Sequence, residues 1–313
     1  MIGVVVIGRN EGERLERCLN SLLPGSPVVY VDSGSTDGSV ALARSKGADV
    51  VELDRATPFT AARARNAGVE RLPEVDYVQF LDGDCELAAG WLERAAAFLS
   101  QHEDVAAVCG RLREKHPERT VYNLLCDIEW DGAPGEARAC GGIAMMRLDA
   151  LAAVHGFRAE LVAGEEPELC ARLRAAGWRI WRLDAEMAAH DAAMSRFGQW
   201  WRRTLRAGYA FAQGAALHGA PPERLGVRES RSAWFWGFVL PIFAAACVGV
   251  AGPWGAAVLA AYPLQVARLA LRGARTPGEN WRHAAFLVLG KFPEMLGQLK
   301  FRLERQARLI EYK

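Results

Sequence analysis

The sequence predicts an α/β fold, a mostly parallel sheet flanked by helices, followed by a C-terminal membrane-associated helical region. Three observations predict it. The runs IGVVVI (residues 2–7) and VVYV (28–31) are continuous and β-branched, as strands buried on both faces are. Helix-length segments alternate with such runs at the spacing of parallel βαβ units. No charged residue occurs across residues 232–267, a stretch of 36 positions with the composition of a membrane segment.

Residues 2–7 are the first strand. Gly8-Arg9-Asn10-Glu11 then turns the chain into a helix with Leu15, Cys18, Leu19 and Leu22 at apolar positions, ended by Pro24 and Gly25. Residues 28–31 are the second strand. The turn Asp32-Ser33-Gly34-Ser35-Thr36-Asp37 leads to a helix over about 39–46, with Gly47 at its C-cap. Residues 50–53 read as a strand, 61–69 as a helix, 77–81 as the fourth strand and 91–99 as a helix. Residues 105–109 and 141–146 read as strands, 169–176 as a helix and 179–183 as a short edge strand. The stretch 111–138, with Pro117, Gly132, Pro134 and Gly135, is irregular and reads as a substrate-facing insertion.

The grammar changes at Pro221-Pro222, which suggests two domains, 1–222 and 223–313. One crossing needs about 20 helical residues, so the uncharged stretch is too long for a single span. Gly252-Pro253-Trp254-Gly255 divides it into a hairpin. Arg228 and Arg231 before it, and Arg268, Arg272 and Arg275 after it, place both ends on the cytoplasmic side. Only 14 residues separate Pro253 from Arg268, so the second limb either relies on a snorkelling Arg268 or enters without crossing. Residues 281–309 read as a basic interfacial helix.

The chain has 313 residues, is 51% hydrophobic and 24% charged, and has a net charge of +1, which points to no nucleic-acid partner. Residues 223–313 carry 13 Lys/Arg against 6 Asp/Glu, a basic tail suited to an anionic lipid surface. Seven scattered cysteines give neither a disulfide framework nor a CxxC zinc pattern, so reduced, buried thiols are expected. No basic n-region precedes the first strand, so the first domain is expected at the cytoplasmic face of an inner membrane.

Chemistry concentrates at Asp82-Gly83-Asp84, where an acidic turn follows an apolar strand. Hard oxygens at a sheet's C-terminal edge suit Mg²⁺ or Mn²⁺, ions that commonly bind the phosphates of a substrate. Arg63, Arg65 and Asn66 lie in AARARNAG, and arginine forks suit a diphosphate. Two positions apart on a helix, Arg63 and Arg65 cannot share one face. Glu165 and Glu166 lie in AGEEPELCARLRAAGW.

Together these segments resemble the glycosyltransferase family 2 enzymes over about residues 2–195. The resemblance implies the GT-A fold, a nucleotide-diphosphate-sugar donor, with UDP the expected nucleotide, and inverting transfer. It implies that Asn10 and Glu11 help to hold the nucleotide, that Asp32 meets the base, and that Arg65 with Asn66 contacts the donor. Asp82 and Asp84 match the DxD motif, with Gly83 between them; Asp84 is the firmer metal ligand and His190 an additional one. Glu166 takes the general-base position, with Glu165 the alternative, and Arg172 orients the acid or binds phosphate. Asp32 and Asp37 have a second reading as turn or helix caps.

Gly141-Gly142 matches the acceptor-side glycines. QWWRR at 199–203 departs from the processive-synthase pattern, so single-sugar transfer is expected. The hairpin suggests a lipid-linked saccharide acceptor in envelope or exopolysaccharide assembly. Polyprenyl-phosphate transfer and a non-catalytic nucleotide-sugar-binding membrane protein are the alternatives, and a homo-oligomer is compatible with the sequence. The first strand lacks GxGxxG, which argues against a dinucleotide enzyme.

Overall fold

The structure, a computed structural model, describes residues 1–304. Its first half alternates strand and helix: β1 (Ile2–Gly8), α1 (Glu13–Asn20), β2 (Val28–Asp32), α2 (Ser39–Ser45), β3 (Asp49–Glu52), α3 (Ala61–Arg71) and β4 (Tyr77–Asp82). Then come β5 (Cys85–Leu87), α4 (Trp91–Gln101), β6 (Val105–Glu114), α5 (Val121–Glu129), β7 (Gly135–Glu136), β8 (Ala144–Arg147), α6 (Leu148–Ala153), α7 (Glu165–Ala175) and β9 (Arg179–His190).

The strands form one sheet in the order β3-β2-β1-β4-β8-β6-β9-β5, with β7 paired to β9. β3, β2, β1 and β4 are parallel, as expected from their continuous apolar runs. The other half is mixed, because β8 runs antiparallel to both β4 and β6 while β6 and β9 are parallel. Val4, Val5, Val6, Tyr30, Val31, Val78 and Phe80 are fully buried between the helical layers. β9 is longer than the expected 179–183 strand and is internal rather than an edge. Asp184 and Glu186 break its apolar run and hide its continuation, although the strand carries on to His190.

Compactness divides the described residues into Met1–His116 with Glu129–Ala193, and Pro117–Ile128 with the chain from Met194. The expected boundary at 222 falls inside the second unit. There α8 (Phe197–His218) packs closely on α13 (Lys291–Leu303), where Gly208 backs onto the Glu294 backbone and Gly297 onto that of Leu205. The second unit also takes most of α5 from the stretch read as irregular.

A continuous helical run, Val227–Ala270, is long and apolar enough to cross a membrane. It contains α9 (Val227–Trp234), a π segment (Phe235–Val239), α10 (Leu240–Ala251), a 3₁₀ segment (Gly252–Ala260) and α11 (Ala261–Ala270). The run folds back on itself at Gly252, whose φ of 61° suits glycine. Gly255 then lies against the Cys247 backbone, and the Tyr262 hydroxyl donates to the Trp236 carbonyl at 2.6 Å. The reversal falls at the Gly252-Pro253-Trp254-Gly255 segment. α12 (Pro277–Leu289) and α13 occupy the expected interfacial-helix region, with a break at Gly290; residues 305–309 of that expectation lie outside the described residues.

Candidate active site

The parallel strands end together. Gly8 of β1 pairs with Asp32 of β2, and Ile7 of β1 pairs with Asp82 of β4. The three expected donor-side segments therefore emerge side by side at the C-terminal edge of the sheet, where open α/β sheets bind ligands.

Asp32 is buried, and its Oδ2 accepts the N–H groups of Gly34 and Ser35 at 2.9 and 2.7 Å. Its Oδ1 accepts the Tyr30 hydroxyl at 3.1 Å. Burial first, and then the Asp32 charge, push that phenol well above its ordinary range. Asp32 thus builds the turn, and Asp37 likewise caps Ser39. Asn10, at φ 57°, clasps this turn: its N–H donates to Ser35 Oγ and its Oδ1 accepts from Thr36 N–H at 2.8 Å. Glu11 is buried and paired with Arg14 at 2.7 Å. It lies against Gly83, whose N–H donates to the Ile7 carbonyl at 2.8 Å.

Arg65 joins the two acidic motifs. From the buried face of α3, its Nη2 reaches Asp82 Oδ1 at 3.2 Å and its Nη1 reaches Glu165 Oε1 at 2.7 Å. Burial opposes its charge, but the carboxylates outweigh it and push the guanidinium pKa upward. Gly142 makes room for it, since a Cβ there would lie 2.6 Å from Arg65 Nη2. This close approach is a function of the glycine pair that sequence reasoning missed.

Other expected site residues are occupied elsewhere. Arg63 donates to the Asp54 and Thr57 carbonyls, so it braces the loop before α3. Asn66 exchanges two hydrogen bonds with the Phe157 backbone, at 2.7 and 2.9 Å. Arg172 grips Glu168 and the carbonyls of Val154 and Gly156, which ties α7 to the preceding turn.

Glu166 turns inward. Its Oε1 accepts Cys140 N–H at 2.6 Å and the thiols of Cys140 and Cys170 at 3.2 and 3.0 Å. Glu165, partly exposed, is therefore the carboxylate of the pair on the Asp82 side.

Asp84 and His190 meet across β5 and β9, with Asp84 Oδ1 3.2 Å from His190 Nε2. Two ligands at right angles on an ion with bonds of about 2.1 Å sit about 3.0 Å apart, so the pair fits one cation. Imidazole favours a first-row transition ion such as Mn²⁺ over Mg²⁺. Cys85 brings its sulfur 3.9 Å from the same oxygen. Asp82 stands instead with Arg65. The Trp130 ring stacks on His190, centroids 4.6 Å apart and planes within 14°. Trp130 was missed because it lies in the irregular stretch; an aromatic amid glycines and prolines was its only signal.

Residues 3–152 match the family model "Glycosyl transferase family 2". Among curated proteins, the chain is similar to glycosyltransferase AglE of Haloferax volcanii, 26% identical over 221 residues, covering 66% of this chain and 71% of that one. It is also similar to succinoglycan biosynthesis protein ExoA of Rhizobium meliloti, 26% identical over 198 residues, covering 58% and 60%. Among solved structures it shares the fold of the mannosyltransferase PcManGT from Pyrobaculum calidifontis, solved with GDP-Man and Mn²⁺. The TM-score is 0.66 at 22% identity, over 95% of this chain and 86% of that one.

Proposed function

With residues 3–152 matching the family 2 glycosyltransferases, we propose that this protein is an inverting, metal-dependent glycosyltransferase acting on a lipid-linked saccharide. The observation that carries this reading is the Arg65 bridge, which gathers Asp82 of the acidic turn and Glu165 of α7 into one site.

Asn10, Glu11 and the Asp32 turn receive the nucleotide, and Arg65 faces the diphosphate. Asp84 and His190, with Asp82 nearby, would hold the divalent ion, which when bound neutralises the charge of the leaving nucleoside diphosphate. Glu165 serves as general base and removes the acceptor hydroxyl proton. The freed oxygen attacks the anomeric carbon from the face opposite the phosphate. A new C–O bond forms as the sugar–phosphate bond breaks, which inverts the centre.

The apolar hairpin supports a bilayer-confined acceptor, since it would anchor the chain where such a molecule resides. The relative named for succinoglycan biosynthesis points to the same class of polymer assembly. The arginines flanking the hairpin support a catalytic unit on the cytoplasmic face. A UDP-sugar is the donor expected from Asp32, while the GDP-Man bound in the solved relative makes GDP-sugars the first rival.

The test is a panel of UDP-, GDP- and dTDP-sugars offered with Mn²⁺ to the membrane-bound protein, scored by nucleoside diphosphate release and by sugar added to co-purified lipid. UDP-sugar-dependent release, abolished by Asp84→Ala, is expected. No release with any donor, or full release from the variant, would overturn the proposal.

A further inference from the structure

We propose that Trp130 is a positioning residue that holds the His190 imidazole in the orientation needed to ligate the divalent ion. The inference rests on the assignment of Asp84 and His190 as ligands, and adds a residue that no motif supplies.

His190 is the last residue of β9 and is mostly buried. Two groups fix it. Asp84 meets its Nε2 edge at 3.2 Å, and the Trp130 ring covers its face at 4.6 Å, nearly coplanar. Near-parallel stacking constrains the imidazole plane in a way that an aliphatic neighbour would not.

The tryptophan is itself held. Asp131, the next residue, pairs with Arg111 of β6 at 2.6 Å. Gly132 donates to the Trp130 carbonyl at 3.1 Å, which closes a tight turn. A Cβ on Gly132 would lie 2.8 Å from Nε of Arg182, and that arginine donates to the Gly110 carbonyl at 2.7 Å. The turn carrying Trp130 is thus pinned to β6 and β9, the strands that set the position of His190. Groups that orient a metal-binding histidine typically change metal affinity by about 10–100-fold when removed.

Mn²⁺ affinity of the nucleotide-free, full-length protein, measured by electron paramagnetic resonance, tests this directly. His190→Ala should weaken Mn²⁺ binding, and Trp130→Ala should weaken it by about 10–100-fold, with Trp130→Phe restoring most of the loss. In the His190→Ala background, Trp130→Ala should have no further effect, because it acts through the histidine. Thermal unfolding checks that each variant is folded, and affinity is expressed per folded molecule.

Wild-type affinity in Trp130→Ala, or losses that simply add in the double variant, would overturn the inference while leaving the ligand assignment intact. Unchanged affinity in His190→Ala would overturn both.

Discussion

Arg65 and Glu165, 100 positions apart in the chain, meet at 2.7 Å, and the same guanidinium reaches Asp82 at 3.2 Å. Removing this buried cation strands two carboxylates. Arg65→Met should therefore destabilise the protein by about 3–5 kcal/mol, the usual result of breaking a buried ion pair from one side. Arg65→Lys should recover only part of this, because an ammonium lacks the planar fork that engages both partners. Urea unfolding of the three proteins checks the order; equal stability for all would contradict it.

Glu166 should prove structural. Glu166→Ala leaves the buried Cys140 N–H without its acceptor, at a cost of about 1–3 kcal/mol, whereas Glu166→Gln retains an acceptor and most of the stability. The hydrogen bond to Cys170 and burial push the Cys140 thiol pKa up. Alkylation of Cys140 at pH 8 should accordingly be slow in the folded protein and fast in urea, and mass spectrometry would read the difference. Fast alkylation of the folded form would show that the buried Cys140 becomes accessible.

Acid should weaken the support of the acidic turn through Glu86. Burial alone would raise its pKa, but Lys115 and Arg17 outweigh burial and hold it below the ordinary carboxylate value. A folded-state pKa below the unfolded one stabilises the protein above the unfolded value, about 4.3, and the benefit is lost as pH falls through the lower folded value. Glu86→Gln should lose this contribution, so its urea midpoint should fall less steeply than wild type on acidification through that window. Identical acid limbs would contradict the assignment.

The hairpin tip should be in lipid. Val250 is 92% exposed and Trp254 86% exposed, so neither contributes to a protein core. Val250→Asp should leave folding intact and weaken vesicle partitioning measurably. Flotation with anionic vesicles reads this, and unaltered flotation would place the tip outside the bilayer.

Much of this arrangement could be read from the chain because its signals are local. The buried strands announced themselves as β-branched runs, and Asp82-Gly83-Asp84 stood at a strand end where ligands bind. The long apolar run was visible in its missing charges. What could not be read depended on distant partners. Asn66 and Arg172 have the chemistry of ligand contacts, and only the positions of Phe157, Val154 and Glu168 show that they hold the fold. Glu165 and Glu166 are adjacent in sequence but point to different neighbours at the start of α7, which residue type cannot foretell. Trp130 reaches His190 through a turn with no periodicity to betray it.

The central claim, one site in which Glu165 prepares an acceptor beside an Asp82-side diphosphate, is tested most directly by Glu165→Gln. Single-turnover transfer and donor binding would be measured together on the same membrane-bound preparation. Transfer should fall by about 10²–10⁴-fold, the usual contribution of a positioned base, while donor affinity stays near wild type. Full-rate transfer by Glu165→Gln would contradict the assignment and would favour an acceptor phosphate that needs no base.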